Sequence, residues 1–279
     1  MDNYKDYKHQ VTEFFNQRQN NYDTDYSYRR GLRLVQLTPI EKGQKILDIA
    51  TGTGIAAIEA AIKLDKTGQI IGVDFSPGML TTAQRKIDKA QLKNIELIQA
   101  DIDELSFPEE SFDVILCSSA LPWFTDIPKS LMKWHSWLKT GGIMSFSCYS
   151  ETAFLTPIIV RVCGNIYNID LPNWNEPLGT PQKCHQVLEK AGFKQIKITT
   201  EQFGAYLNLE EAKDWWKGES TWINPRGNPL QLLSDKQLQT LKKAYDKEIE
   251  ALATVKGVWQ DITTFFVIAR KSTPIGVNG

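Results

Sequence analysis

The chain has 279 residues, 42% of them hydrophobic and 23% charged, with a formal net charge of −1. That is the make-up of a globular protein large enough to bury a core without disulfide or metal staples. It carries no run of Lys and Arg to neutralise a row of phosphates, so nucleic acid is not an expected partner. The cysteines Cys117, Cys148, Cys163 and Cys184 form no CxxC pair, and His9, His135 and His185 are scattered, so no metal site is expected. The charged start, Met1-Asp2-Asn3-Tyr4-Lys5-Asp6, does not read as a signal peptide. No apolar run approaches the roughly 20 residues that span a bilayer. A cytoplasmic protein with no integral membrane association is expected.

In chain order, residues 1–37 form an aromatic N-terminal cap, with a helix near 4–20 and a short apolar-periodic helix over Gly31–Leu37. From Lys45 the pattern alternates between strand and helix. Lys45–Ile49 is an apolar strand, and it runs through a Thr/Gly loop into a helix over Ile55–Lys63. Gln69–Asp74 is a second strand, and Ser76-Pro77 opens the next helix with an N-cap followed by a proline at the first helical position. Ile95–Ala100 and Phe112–Ser118 are further strands. A helix over Ile127–Leu138 ends at Lys139-Thr140-Gly141-Gly142, and Ile143–Tyr149 is the fifth strand.

Beyond residue 150 the alternation loosens. An apolar stretch over Pro157–Ile169 precedes a helix over Gln182–Ala191 and a strand over Lys194–Phe203. Residues 205–257 read as a helical insertion, and its clearest helix opens with a Ser234/Gln237 capping box. Asp261–Arg270 closes the fold within a last-strand segment, 258–270. Strands separated by helices imply βαβ units and a parallel sheet with helices on both faces.

In such a sheet, ligands bind beyond the carboxyl ends of the strands, where strand order reverses. The loop Asp48-Ile49-Ala50-Thr51-Gly52-Thr53-Gly54 occupies that edge, and its glycines let a ligand approach the backbone. Gly52 through Ala57 also satisfies G-x-G-x-x-A, which alone leaves a nicotinamide dinucleotide open. Three acids at successive strand ends, Asp48, Asp74 and Asp101, weigh against a diphosphate and favour a cationic, adenine-bearing cofactor. Asp74 follows Gly54 by 20 residues, suited to ribose hydroxyls, and Asp101 and Ile102 suit an adenine edge.

Together these residues resemble a class I S-adenosylmethionine-dependent methyltransferase. Asp48–Gly54 resembles the family's first motif, Gly72–Leu80 its second and Gln99–Ile102 its adenine-contacting segment. Phe112–Ile115 resembles its fourth strand, and Leu138–Gly142 the turn before the fifth. The resemblance covers about residues 40–204. It implies a Rossmann-like, seven-stranded, mostly parallel sheet with a helical N-terminal cap and a helical insertion before the last strand. It implies S-adenosylmethionine held by Asp48, Ala50, Thr51, Gly52, Gly54, Asp74, Phe75, Met79, Asp101, Ile102 and Ser118. Ala50 stands where the family's first glycine is usual, a variation also found in the branch that methylates ubiquinone and menaquinone precursors.

On the acceptor side, Trp123, Phe124, Tyr149, Trp215, Trp222 and Tyr22 are the expected wall of an aromatic pocket for a small molecule. Tyr149 and His135 are the catalytic candidates, although His135, between Trp134 and Trp137, reads more readily as structural. The expected activity is transfer to N or O of a small, aromatic or apolar metabolite, by a monomer or homodimer. C-methylation of a quinone precursor, an NAD(P)-dependent reductase and a non-catalytic nucleotide-binding module stay open as alternatives.

Overall fold

A computed structural model of the chain describes residues 2–65, 67–217 and 223–272. Helix α1 spans Asp2–Arg18 and α2 Asp25–Leu37, followed by β1 (Lys45–Ile49), α3 (Ile55–Lys63), β2 (Gln69–Asp74), α4 (Pro77–Lys89) and β3 (Ile95–Gln99). Then come β4 (Phe112–Ser118), α5 (Ile127–Trp137), β5 (Leu138–Tyr149), α6 (Thr156–Tyr167), α7 (Pro181–Lys190) and β6 (Phe193–Gln202). The chain closes with β7 (Ala205–Leu207), α8 (Leu209–Asp214), α9 (Asp235–Leu252), β8 (Val258–Gln260) and β9 (Thr263–Lys271).

Seven strands form one sheet in the order β3-β2-β1-β4-β5-β9-β6. Neighbours pair in parallel from β3 to β5, and β9 runs antiparallel to both β5 and β6. The side-chain period of two explains how the sheet is covered on both faces. Along β4, Val114 and Leu116 join the apolar cluster under α2 and α3, whereas Ile115 and Cys117 join the cluster under α5 and α7, as does Phe112, before the register shift that separates it from Val114. Register matters for the site: Asp48 pairs with Gly72 and Asp74 with Gln99, so the ends of β1, β2 and β3 come out level.

A third apolar cluster lies outside the sheet, where Ile158, Ile159 and Val162 of α6 meet Leu241, Tyr245 and Ile249 of α9. Tyr245 buries its hydroxyl there and donates to the carbonyl of Ala212 at 2.7 Å. All four cysteines are buried free thiols. Among the described residues no helix is long and apolar enough to cross a membrane.

Four elements differ from the sequence reading. Helix α2 starts at Asp25 rather than Gly31, with Thr24 as its N-cap; its first turns carry tyrosines and arginines, which hide the apolar period. Strand β5 begins at Leu138, and Lys139–Gly142 is an irregularity within it, because pairing with β4 jumps from Phe112↔Leu138 to Val114↔Ile143. The apolar stretch after residue 156 is a helix, α6. Residues 205–257 are not purely helical, and 258–270 is not one strand: β7 and β8 form a separate antiparallel ribbon before β9 joins the sheet.

Trp134 is fully buried between the sheet and the edge of the Phe124 ring. Trp134→Ala is expected to lower the unfolding free energy by about 3–5 kcal/mol, read from the urea midpoint.

Candidate active site

The loop after β1 turns through three left-handed residues, Ala50 (φ 52°), Gly52 (φ 55°) and Gly54 (φ 80°). At Ala50 that conformation costs an alanine about 1 kcal/mol more than a glycine. The loop is pinned from β2. Thr51 N–H donates to the Val73 carbonyl at 3.0 Å, and Gly52 N–H donates to an Asp74 carboxylate oxygen at 2.8 Å. Asp74 also accepts from Ser76 N–H at 2.8 Å. A Cβ placed on Gly52 would meet only the Ala50 carbonyl, 4.0 Å away, so the backbone there faces open space.

That space is a cavity of about 500 Å³ above the carboxyl edge of the sheet. Of the residues expected to hold a cofactor, Ala50, Gly52, Asp74, Phe75, Met79, Asp101, Ile102 and Ser118 line it. Asp48 and Thr51 instead line a smaller void of about 30 Å³ behind the loop. Gly54 lines neither; it precedes α3, and a Cβ there would sit 3.2 Å from that of Ala83. Its place in the motif is explained by backbone conformation and helix packing.

The acids differ in state. Asp48 is 1% exposed; Thr51 Oγ1 donates to one carboxylate oxygen at 2.6 Å, and the other has no partner among the described residues. Burial pushes its carboxyl up to about 7, the Thr51 hydrogen bond opposing and Asp74 adding. Burial likewise raises Asp74 to about 6 against hydrogen bonds from the amides of Ser76, Gly52 and Phe75. Asp101 is paired at 3.2 Å with Lys8 of α1, which also reaches Asp103 at 3.0 Å.

The N-terminal cap expected from the sequence reaches the cavity through α1: Tyr7 donates to the Trp123 carbonyl at 2.8 Å, and Asn16 accepts from the Ser76 hydroxyl at 2.7 Å. Sequence reading missed Arg30 of α2, 3% exposed, with Nε and Nη1 unpartnered among the described residues. Its guanidinium lies 4.3 Å from the ring centre of Tyr26 and 4.9 Å from that of Tyr149. It lines both the cavity and the smaller void. A tyrosine one helical turn before an arginine, Tyr26 and Arg30, is the only sequence signal for it.

Of the expected acceptor wall, Trp123, Phe124, Tyr149, Tyr22 and Trp215 line the cavity. Trp174 and Phe154 extend it: Trp123 meets Trp174 at 4.8 Å, and Phe154 bridges Tyr149 (4.9 Å) and Trp215 (5.7 Å). Trp222 lies outside the described residues. Burial holds the Tyr149 phenol above its usual range, which makes it a hydrogen-bond donor and not a base. His135 is not in the site. Helix α5 returns to the amino ends of the strands, so His135 in its last turn sits at the opposite edge, against Phe193 at 4.9 Å. Burial and Lys271 lower its pKa, and its role is packing.

A family described as a methyltransferase domain matches residues 40–192. The chain belongs to that family. Aklanonic acid methyltransferase from Streptomyces is 32% identical over 215 residues, covering 71% of this chain and 98% of that one. Demethylmenaquinone methyltransferase from Listeria welshimeri is 34% identical, but over 39% of this chain and 46% of its own. Thus the match spans about half the quinone enzyme. Phosphoethanolamine N-methyltransferase 2 of Haemonchus contortus, solved with S-adenosyl-L-methionine, superposes with a TM-score of 0.55 at 19% identity, covering 93% of this chain and 60% of that one. The YcgJ protein of Bacillus subtilis gives 0.57 at 15% identity, covering 88% and 99%. At such identities the superpositions show the shared fold.

The methyltransferase uses S-adenosylmethionine. The buried Asp48 makes its fold sensitive to pH. A carboxyl with a folded pKa of about 7 stabilises the fold below its ordinary 3.8, and that contribution is lost as pH rises through 7. Asp48→Asn is therefore expected to raise the thermal midpoint of the donor-free protein relative to wild type more at pH 8 than at pH 5. Equal shifts at both pH values would mean Asp48 is ionised throughout.

Proposed function

We propose that the enzyme moves the methyl group of S-adenosylmethionine to an N or O atom of a small, flat, largely apolar metabolite. One observation carries this reading: the cavity at the donor loop continues without a break into an aromatic slot walled by Trp123, Trp174, Phe154 and Trp215. The bound donor supplies an electrophilic methyl on a sulfonium.

The residues present fit that group. Asp74 is read as the ribose ligand, and Asp101 with Ile102 as the contacts of the adenine edge. In the smaller void Asp48 has an unpartnered oxygen and Arg30 two unpartnered nitrogens. Opposite charges around one void suit the zwitterionic amino-acid end of the donor, with Arg30 on its carboxylate and Asp48 and Ser118 towards its ammonium. The chain then contributes alignment and dryness: the slot holds the acceptor flat against the methyl, and α1 with Trp215 covers it. C-methylation of a quinone precursor is the second reading, favoured by Ala50 and by the similarity to demethylmenaquinone methyltransferase.

Asp74→Ala is expected to weaken donor binding by about 1.5–3 kcal/mol in calorimetric titration. Wild-type affinity is expected to fall as pH drops through 6, because a protonated Asp74 loses its charge for ribose hydroxyls. A chain lacking residues 1–25 is expected to bind acceptor and transfer methyl more slowly. Undiminished transfer by that chain would rule out a covering role for α1.

A further inference from the structure

One polar side chain in the aromatic slot is left with nothing to hold. Asn175 is 4% exposed and lines the cavity next to Trp174. Its backbone is engaged: the N–H donates to Asn173 Oδ1 at 3.0 Å, and the carbonyl accepts from Leu178 N–H at 3.1 Å. Its side chain caps no helix and makes no hydrogen bond among the described residues. A buried carboxamide without a partner opposes folding, so its presence calls for a cause. Packing does not supply one, because an apolar side chain of the same shape would suit an aromatic wall better.

The loop that carries Asn175 is clamped from two sides. Asn224 Nδ2 donates to the Pro172 carbonyl at 2.8 Å, and Arg226 Nη2 to the Trp174 carbonyl at 2.9 Å. Opposite these, Asn173 Nδ2 donates to the Glu151 carbonyl at 2.8 Å, and Glu151 N–H to the Gly179 carbonyl at 3.0 Å. The turn over residues 150–156 that receives this loop also meets the end of the β7–β8 ribbon, where Phe154 N–H donates to the Asp261 carbonyl at 2.6 Å. That turn therefore ties Asn175 to Thr156, the first residue of α6, and to Gln260, the last of β8. All three line the cavity, and none lines the smaller void behind the glycine loop. The Thr156 hydroxyl and the Gln260 carboxamide also make no hydrogen bond among the described residues. Fixed, uncharged dipoles with spare capacity are what preorganised recognition of a neutral polar group requires.

We infer that Asn175 is the residue that selects the acceptor, its carboxamide hydrogen-bonding an uncharged carbonyl or hydroxyl oxygen on the acceptor's ring, with Thr156 and Gln260 beside it. Discrimination follows from desolvation. A ring that lacks the oxygen fills the slot and leaves the carboxamide dry and unpaired, so it is rejected more strongly than one lost contact would require. The inference rests on the proposed methyl transfer and adds a neutral polar handle to its flat, apolar acceptor.

The test uses the full chain saturated with S-adenosylhomocysteine and two isosteric probe pairs, 2-acetylnaphthalene with 2-isopropenylnaphthalene and 2-naphthol with 2-methylnaphthalene. Affinities are measured by equilibrium dialysis. In at least one pair the oxygenated probe is expected to bind about tenfold tighter or more, although its hydrocarbon partner is the more apolar. Asn175→Leu, nearly the same shape, is expected to invert that order while keeping the affinity for S-adenosylhomocysteine. Because the native side chain holds nothing, the variant is also expected to keep or raise the thermal midpoint of the donor-free protein. A midpoint lowered by more than about 5 °C would make Asn175 a structural residue and overturn the inference. A wild-type chain without preference in either pair, or a variant that keeps the wild-type ratio, would overturn it as well. Two results reach further back. A wild-type chain that does not bind S-adenosylhomocysteine refutes the proposed donor site, and donor binding with no binding of any probe refutes the aromatic slot and the role of Asn175 together. Donor and probe binding without the expected order refutes the role of Asn175 alone.

Discussion

The reversal of strand order between β1 and β4 is the constraint on which the site depends. Strand β1 continues through α3 to β2 on one side, and β4 through α5 to β5 on the other. The loops after β1 and β4 therefore diverge, and the gap between them cannot be filled by either crossover helix. Ala50 and Gly52 form one lip of that gap, and Ser118 and Ser119 the other. Parallel register then delivers Asp74 and Asp101 to the same edge, and α1 closes it from above through Tyr7, Lys8 and Asn16.

Such a gap is filled with groups that make a poor core. Asp48 and Arg30 are buried and Asp74 half-buried, and their partners among the described residues are mostly neutral amides, hydroxyls and rings. Burying an ion without a counter-ion opposes folding, and the raised carboxyls of Asp48 and Asp74 record that opposition. The strain is tolerated because the surrounding sheet has two continuous apolar faces, each sealed by its own pair of helices.

The glycine-loop end of the cavity was legible in the sequence because its determinants are local. A strand end, a glycine turn and an acid at the next strand end occupy fixed spacings, and the acids came out level because parallel register leaves little choice. The acceptor side was less legible, since it depends on long-range packing. Arg30 sits in a polar run whose helical period is masked by tyrosines, and its value comes from Tyr149, 119 residues away. Trp215 and Trp216 are adjacent and look interchangeable, yet the first faces the cavity and the second packs on Tyr245 at 5.5 Å. The β7–β8 ribbon escaped notice because three-residue strands carry no measurable alternation. His135 drew attention as a titratable group on an apolar helix, but the direction of α5 carries it away from the chemistry.

The third apolar cluster, built by α6, α8 and α9, is separate from the two against the sheet. It supports one wall of the cavity through Trp215 and Phe154 while leaving β1, β2 and their loop untouched. The molecule thus divides mechanically: the sheet carries the glycine turn, and a separate cluster carries one wall of the cavity. Repacking α8 against α9 can move that wall without disturbing the glycine turn.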